Sequence, residues 1–198
     1  TIMNKRIYLC LAHMSGREMQ YIQEAFDTNW VVPLGPNVNG FEQDLREFCG
    51  VEGKEVVALS AGTAAVHLAL LACGVRAGDE VLVQSFTFCA SSHPVTYLGA
   101  TPVFVDSEPD TWNMDPELLE KAIVDRIAVT GKKPKAIVPV YLYGMPAKLE
   151  KIMAIAEKYD IPVIEDAAEG LGSRYNGQVC GTFGRYGVLS FNGNKMIT

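Results

Sequence analysis

The chain has 198 residues, 48% of them hydrophobic and 20% charged, a balance that describes a globular protein with a sizeable core and excludes a disordered one. Acidic residues outnumber basic ones by 23 to 17, for a formal charge of −6. With no dense run of lysine or arginine, nucleic acid and anionic membrane are excluded as first partners. No signal peptide and no apolar run of membrane-spanning length is present, so the expected compartment is the cytoplasm. The five cysteines (Cys10, Cys49, Cys73, Cys89 and Cys180) show no C-x-x-C spacing, and three lie in apolar, helix-like surroundings; they read as buried free thiols.

From residue 15 to 30 the spacing of Met19, Ile22, Ala25 and Phe26 predicts a helix that stops at Thr28-Asn29. Residues 31–39 hold two prolines and a glycine and read as an irregular crossing. A second amphipathic helix follows, with Phe41, Leu45 and Phe48 on one face. Then strands and helices alternate. Strands are predicted at 56–59, 80–83, 102–105, 136–140, 161–164 and 187–191. Helices are predicted at 64–73, 87–98, 116–127 (Leu118, Leu119 and Ile123 inward) and 148–159. Repeated β-α-β units with short apolar strands imply an α/β fold: a mostly parallel sheet with helices on both faces. Ligands of such sheets bind beyond the carboxyl ends of the strands, where Asp166 and Ser190 fall.

Three constellations carry chemistry. Ser60-Ala61-Gly62-Thr63 lies between a strand and an apolar helix. Gly62 lets backbone approach a ligand closely, the free N–H groups of a helix start favour phosphate, and Thr63 adds a hydroxyl; the competing reading is an ordinary N-cap. Ser85-Phe86-Thr87-Phe88 opens the next predicted helix, where an aromatic ring could stack on a flat cofactor or simply fill core. Glu165-Asp166-Ala167-Ala168-Glu169 offers two carboxylates, Asp166 and Glu169, to one site, against the plainer reading of an acidic helix start. Without a suitably placed histidine or cysteine, a metal site is weakly supported. Downstream, Lys195 follows a strand-like Val188-Leu189-Ser190-Phe191 and the turn-like Asn192-Gly193-Asn194. An amine able to form a Schiff base, a carboxylate able to hold a pyridinium nitrogen, and a phosphate cradle are what a pyridoxal phosphate enzyme needs.

The runs Ala58-Leu59-Ser60-Ala61-Gly62-Thr63-Ala64-Ala65, Gly99-Ala100-Thr101-Pro102-Val103-Phe104-Val105-Asp106, Glu165-Asp166-Ala167-Ala168-Glu169 and Ser190-Phe191-Asn192-Gly193-Asn194-Lys195 resemble the DegT/DnrJ/EryC1/StrS aminotransferases. These are fold-type-I pyridoxal phosphate enzymes acting on nucleotide-linked keto-sugars. The resemblance runs from about Ile7 to Thr198 and is nearest to bacterial 4-aminotransferases of UDP-4-keto-sugars. It implies that Lys195 is the Schiff-base lysine and that Asp166 partners the pyridine nitrogen. By the same resemblance Gly62, Thr63 and Ser190 bind the phosphate, Phe88 (with Phe86 as competitor) stacks on the ring, and Glu169 contacts the ring hydroxyl. It further implies L-glutamate as amino donor, a UDP-4-keto-6-deoxy sugar as acceptor, and a homodimer with sites at the subunit boundary. Residues 1–198 are expected to be the N-terminal segment and the cofactor-binding large domain, with a small carboxy-terminal domain lying beyond Thr198.

Three other readings compete. A sugar dehydratase of this family carries histidine at the lysine position, which Lys195 opposes. A nicotinamide reductase lacks its glycine fingerprint here, since no G-x-G-x-x-G follows a strand, and no G-x-x-x-x-G-K-[ST] loop is present. A non-catalytic regulatory or binding protein on the same fold would have had no need to keep lysine, aspartate and phosphate cradle together.

Overall fold

A computed structural model of the chain describes residues 6, 8, 14–50 and 52–198. The chain forms two compact units, one of Thr1–Ala58 with Phe191–Thr198 and one of Leu59–Ser190. In the first unit, α1 (Glu18–Asp27) ends as expected at Thr28, with Asn29 left-handed at φ 58°, and none of its residues is buried. The irregular crossing closes earlier than expected, because Pro36 occupies the first turn of α2 (Pro36–Cys49). Leu45 is buried on α2, and Phe41 packs edge-on to Phe191 with ring centroids 4.8 Å apart. Residues 56–59 join no ladder, which corrects the first predicted strand. Instead the amide of Ala58 donates to the Glu42 carboxylate at 2.7 Å.

The second unit is built on parallel pairing. Strand β1 (Glu80–Gln84) lies between β2 (Thr101–Val105) and β3 (Ala136–Val138), and β4 (Ile164–Asp166) pairs with β7 (Tyr186–Val188). Single parallel bridges, Ile137 to Val163 and Val140 to Asp166, carry the sheet from β3 to β4. Prolines interrupt that seam. Pro139 ends β3, and Pro162 leaves only Val163 to bridge, so the predicted strand at 161–164 pairs mainly from Ile164 onward.

Alternation along β1 divides the core. Val81 and Val83 face α3 (Gly62–Ala72) and α4 (His93–Tyr97), with Val66, Leu70 and Val95. Leu82 faces α5 (Pro116–Thr130) and α6 (Leu149–Tyr159), with Leu119, Ile123 and Ile152. Helices thus cover both faces of a parallel sheet, as the sequence pattern required. Each fully buried aliphatic side chain contributes about 1.5–3 kcal/mol.

The predicted helix at 87–98 is two pieces, a 3-10 turn at Cys89–Ser91 and the short α4. Pro94 sits in the first turn of α4, where its missing N–H costs nothing; further inside a continuous helix it would break the ladder. A hairpin of β5 (Arg174–Tyr175) and β6 (Gln178–Val179) was not anticipated. Its Asn176-Gly177 turn, at φ 48° and 85°, is the left-handed pair that two-residue hairpins prefer. Of the described cysteines only Cys180 is buried; Cys49 and Cys73 are half-buried and Cys89 is exposed, while Cys10 lies outside the described residues. Among the described residues no helix is long and apolar enough to cross a membrane.

Candidate active site

The phosphate-cradle segment forms the start of α3, two residues earlier than the apolar pattern suggests. Its N-cap residue, Ala61, is extended and offers no side-chain acceptor, so the N-cap reading of this segment does not hold. The first-turn amides of an eleven-residue helix are thereby left to other acceptors. Ser190, nine-tenths buried, lies against this start. A Cβ on Gly62 would stand 3.3 Å from the Ser190 Cβ and 3.4 Å from its Oγ. The glycine is therefore what allows helix start and serine hydroxyl to converge. Residues of this type, a small backbone approach with amides and hydroxyls together, fit a phosphate group.

Helix α3 packs on both β4 and β7. In their parallel register Asp166 pairs with Val188, so Asp166 and Ser190 emerge at the same carboxyl edge. The Asp166 carboxylate is 6% exposed. Its Oδ2 accepts from the Ser91 hydroxyl at 2.5 Å and its Oδ1 from the Ala168 amide at 3.2 Å. The Ser91 hydroxyl and the Ala168 amide thus fix the orientation of a buried carboxylate at this strand end, a group whose chemistry suits a pyridinium N–H. The stretch after it is a turn, closed by the Gly170 amide on the Ala167 carbonyl, and not the acidic helix start that competed for this motif.

Glu169 accepts at Oε2 from the Tyr143 amide at 2.7 Å. Tyr143 is itself left-handed at φ 51° and exposed, so Glu169 pins a strained loop at this edge. Phe86 and Phe88 both project outward, 49% and 74% exposed. Phe86 meets Trp112 edge-on at 6.1 Å, whereas Phe88 sits at the extended residue that caps the 3-10 turn bearing Ser91. Thr63 occupies the first turn of α3. Lys195 belongs to the other unit; its amide closes the expected turn on the Asn192 carbonyl at 2.8 Å, and its side chain is half-buried.

Two groups escaped the sequence reading. Ser91 is one, although its i, i+4 spacing from Thr87 is a readable hint of a shared hydroxyl face. Glu165 is the other. It alternates away from Asp166 and is fully buried. It accepts from the Tyr141 hydroxyl, the Gly181 amide at 2.8 Å and the Gly184 amide at 2.5 Å. Burial first, and then the Glu165 charge, pushes the Tyr141 phenol upward; the same two causes push the Cys180 thiol up to about 11. Neither group titrates near neutrality, so this cluster is an anchor behind the site.

A parallel α/β sheet covered by helices on both faces, with a buried aspartate at a strand end, is the large-domain fold of the type I cofactor-dependent transferases. The chain belongs to the DegT/DnrJ/EryC1/StrS aminotransferase family, whose model matches residues 12–198. It is 55% identical over 196 residues, 99% of this chain and 50% of the relative, to EpsN of Bacillus subtilis (strain 168). The name of that protein marks it provisionally as a pyridoxal phosphate-dependent aminotransferase. It is 42% identical over 193 residues, 98% of this chain and 50% of the relative, to a GDP-perosamine synthase of Caulobacter vibrioides. A crystal structure of a DegT DnrJ EryC1 StrS aminotransferase from Brucella abortus aligns with TM-score 0.80 and 39% identity, covering 91% of this chain and 51% of that one. The chain spans about half the length of the relatives it matches.

Proposed function

We propose that this chain is the N-terminal segment and cofactor-binding large domain of a pyridoxal phosphate-dependent aminotransferase. The reaction moves an amino group from L-glutamate to a nucleotide-linked keto-deoxysugar. The observation that carries the reading is the convergence of an uncapped helix start, Gly62 against Ser190, with the buried Asp166 carboxylate one strand away. When bound, pyridoxal phosphate supplies the electron sink that lets one group carry the amine from donor to acceptor.

The chain's own residues divide the remaining work. Gly62, Thr63 and Ser190 hold the phosphate through amides and hydroxyls. Asp166 holds a proton on the ring nitrogen, since a buried carboxylate and a pyridinium stabilise each other. Phe88 covers one ring face; Phe86, already against Trp112, is the lesser candidate. Glu169 faces the ring hydroxyl and shares its proton. The Lys195 Nζ is the attachment point, and afterwards it moves a proton at the substrate carbon. Retention of lysine at 195 opposes the dehydratase reading.

The acceptor is a UDP-4-keto-6-deoxy sugar by the resemblance of the Asn192-Gly193-Asn194-Lys195 and Glu169 motifs, and the similarity to a GDP-perosamine synthase keeps GDP-linked sugars in the test. The working protein is a cytoplasmic homodimer with sites at the subunit boundary. Borohydride reduction of the intact protein followed by mass spectrometry should find the pyridoxyl group on Lys195; label on another lysine would overturn the assignment. L-Glutamate should bleach the absorbance band of the bound cofactor, and a UDP- or GDP-linked 4-keto-6-deoxy sugar should restore it. If a plain 2-keto acid restored it while every keto-sugar nucleotide failed, the enzyme would be an amino-acid transaminase. A protein that bound no cofactor at all would be the non-catalytic alternative.

A further inference from the structure

Ser91 is 1% exposed, and its hydroxyl does something its neighbours' hydroxyls do not. Ser92 donates to the Cys89 carbonyl three residues back, and Thr96 likewise to that of His93. Such local bonds are the default for hydroxyls in helical turns. Ser91 reaches 75 residues along the chain to Asp166 instead. The separation of 2.5 Å lies in the range of a hydroxyl donating to a charged carboxylate. The Ser91 oxygen is also 2.8 Å from the Thr87 hydroxyl. A serine has one hydroxyl proton, and Ser91 commits it to Asp166, so in the Thr87 pair Thr87 must be the donor. The result is a chain with a single direction, Thr87 to Ser91 to Asp166, in which each bond polarises the next.

We propose that Thr87 and Ser91 are positioning residues forming a hydroxyl relay that lowers the proton affinity of the Asp166 carboxylate and so keeps the shared proton on the ring nitrogen of the bound cofactor. This rests on Asp166 being the partner of that nitrogen. A carboxylate that already accepts a charge-assisted bond at Oδ2 and an amide at Oδ1 is held as the anion. Stripped of the relay, it would pull the proton toward itself, and the ring would become a poorer electron sink. One charge-assisted hydrogen bond shifts such a proton partition by roughly ten- to a hundredfold. Thr87 acts at one remove, so its contribution is smaller.

The test uses the intact protein reconstituted with pyridoxal phosphate carrying ¹⁵N in the ring, read by ¹⁵N NMR at one fixed neutral pH. In the wild type the resonance should sit toward the protonated, upfield end. Ser91→Ala should move it downfield, Thr87→Val should move it in the same direction by less, and Ser91→Thr should restore it. Asp166→Asn separates the proposal from the reading beneath it. If Asp166→Asn moves the resonance and neither hydroxyl variant does, the relay is overturned while Asp166 stays the ring partner. If Asp166→Asn does not move it, both fall. Should Ser91→Ala fail to load cofactor, the nearly isosteric Thr87→Val decides alone, and an unmoved resonance there overturns the relay.

Discussion

Glu165 offers the most quantitative test of how the site is supported. Its Oε1 accepts from the Gly184 amide, and its Oε2 from both the Gly181 amide and the Tyr141 hydroxyl. In Glu165→Gln an NH₂ replaces one of these oxygens. If the amide oxygen takes the Oε2 place, the NH₂ confronts the Gly184 N–H; if it takes the Oε1 place, the Tyr141 hydroxyl can turn and accept, but the Gly181 N–H is confronted. Either way one buried backbone donor loses its partner, at about 1–3 kcal/mol. For a domain of this size that lowers the melting temperature by about 2–12 °C. Glu165→Leu strands both amides and the hydroxyl, a loss of about 3–9 kcal/mol that rivals the whole stability of a typical domain. Tyr141→Phe removes one bond to a charged acceptor, about 1.5–3 kcal/mol. Thermal unfolding of the four intact proteins should therefore rank wild type first and Glu165→Leu last, with Glu165→Gln and Tyr141→Phe between. A Glu165→Gln protein that melts with the wild type would refute the reasoning, because it would mean that the Gly181 and Gly184 amides are satisfied without the carboxylate.

Gly187→Ala places a Cβ 1.8 Å from the Gly181 carbonyl oxygen, in backbone that cannot yield without unpairing β7; we expect destabilisation above about 4 kcal/mol and little recoverable folded protein, checked by expression and circular dichroism. Gly62→Ala crowds Ser190 at the helix start with the smallest possible side chain, so pyridoxal phosphate affinity should fall about ten- to a hundredfold, the worth of one bond to a charged group, read by spectroscopic titration of the cofactor. Burial works to raise the Glu108 carboxyl, but Lys148, Thr111 and the Asp110 and Thr111 amides outweigh it and hold the group at about 2, below its usual 4.5. Because the folded value is the lower one, Glu108 stabilises the fold above about pH 4.5 and loses that contribution as pH falls toward 2. Glu108→Gln should flatten the acid limb of the stability profile in that window, measured by urea unfolding against pH.

Much was legible without a structure, and for identifiable reasons. The α/β class followed from periodicities that depend only on local geometry, two residues for strands and 3.6 for helices. The candidate residues Gly62, Asp166, Ser190 and Lys195 were readable because strand ends and turns announce where a parallel sheet presents ligands. The Asn176-Gly177 hairpin was also written in the chain and passed over, its strands being two residues each. What tertiary structure alone decided was how polar groups are shared across distance. Strand position singled out Asp166, but nothing local showed what its neighbour Glu165 would meet on the opposite face. The pleat sends one toward Ser91, and the other into a cage of amides behind the sheet. Likewise the run at 56–59 has strand-like residues but enters no ladder, and pairing is a property of the partner as much as of the segment. Sequence specifies which groups can donate, accept or pack; only the fold determines which of them meet, because each hydrogen bond depends on a few tenths of an ångström between residues as far apart as the 75 positions from Ser91 to Asp166.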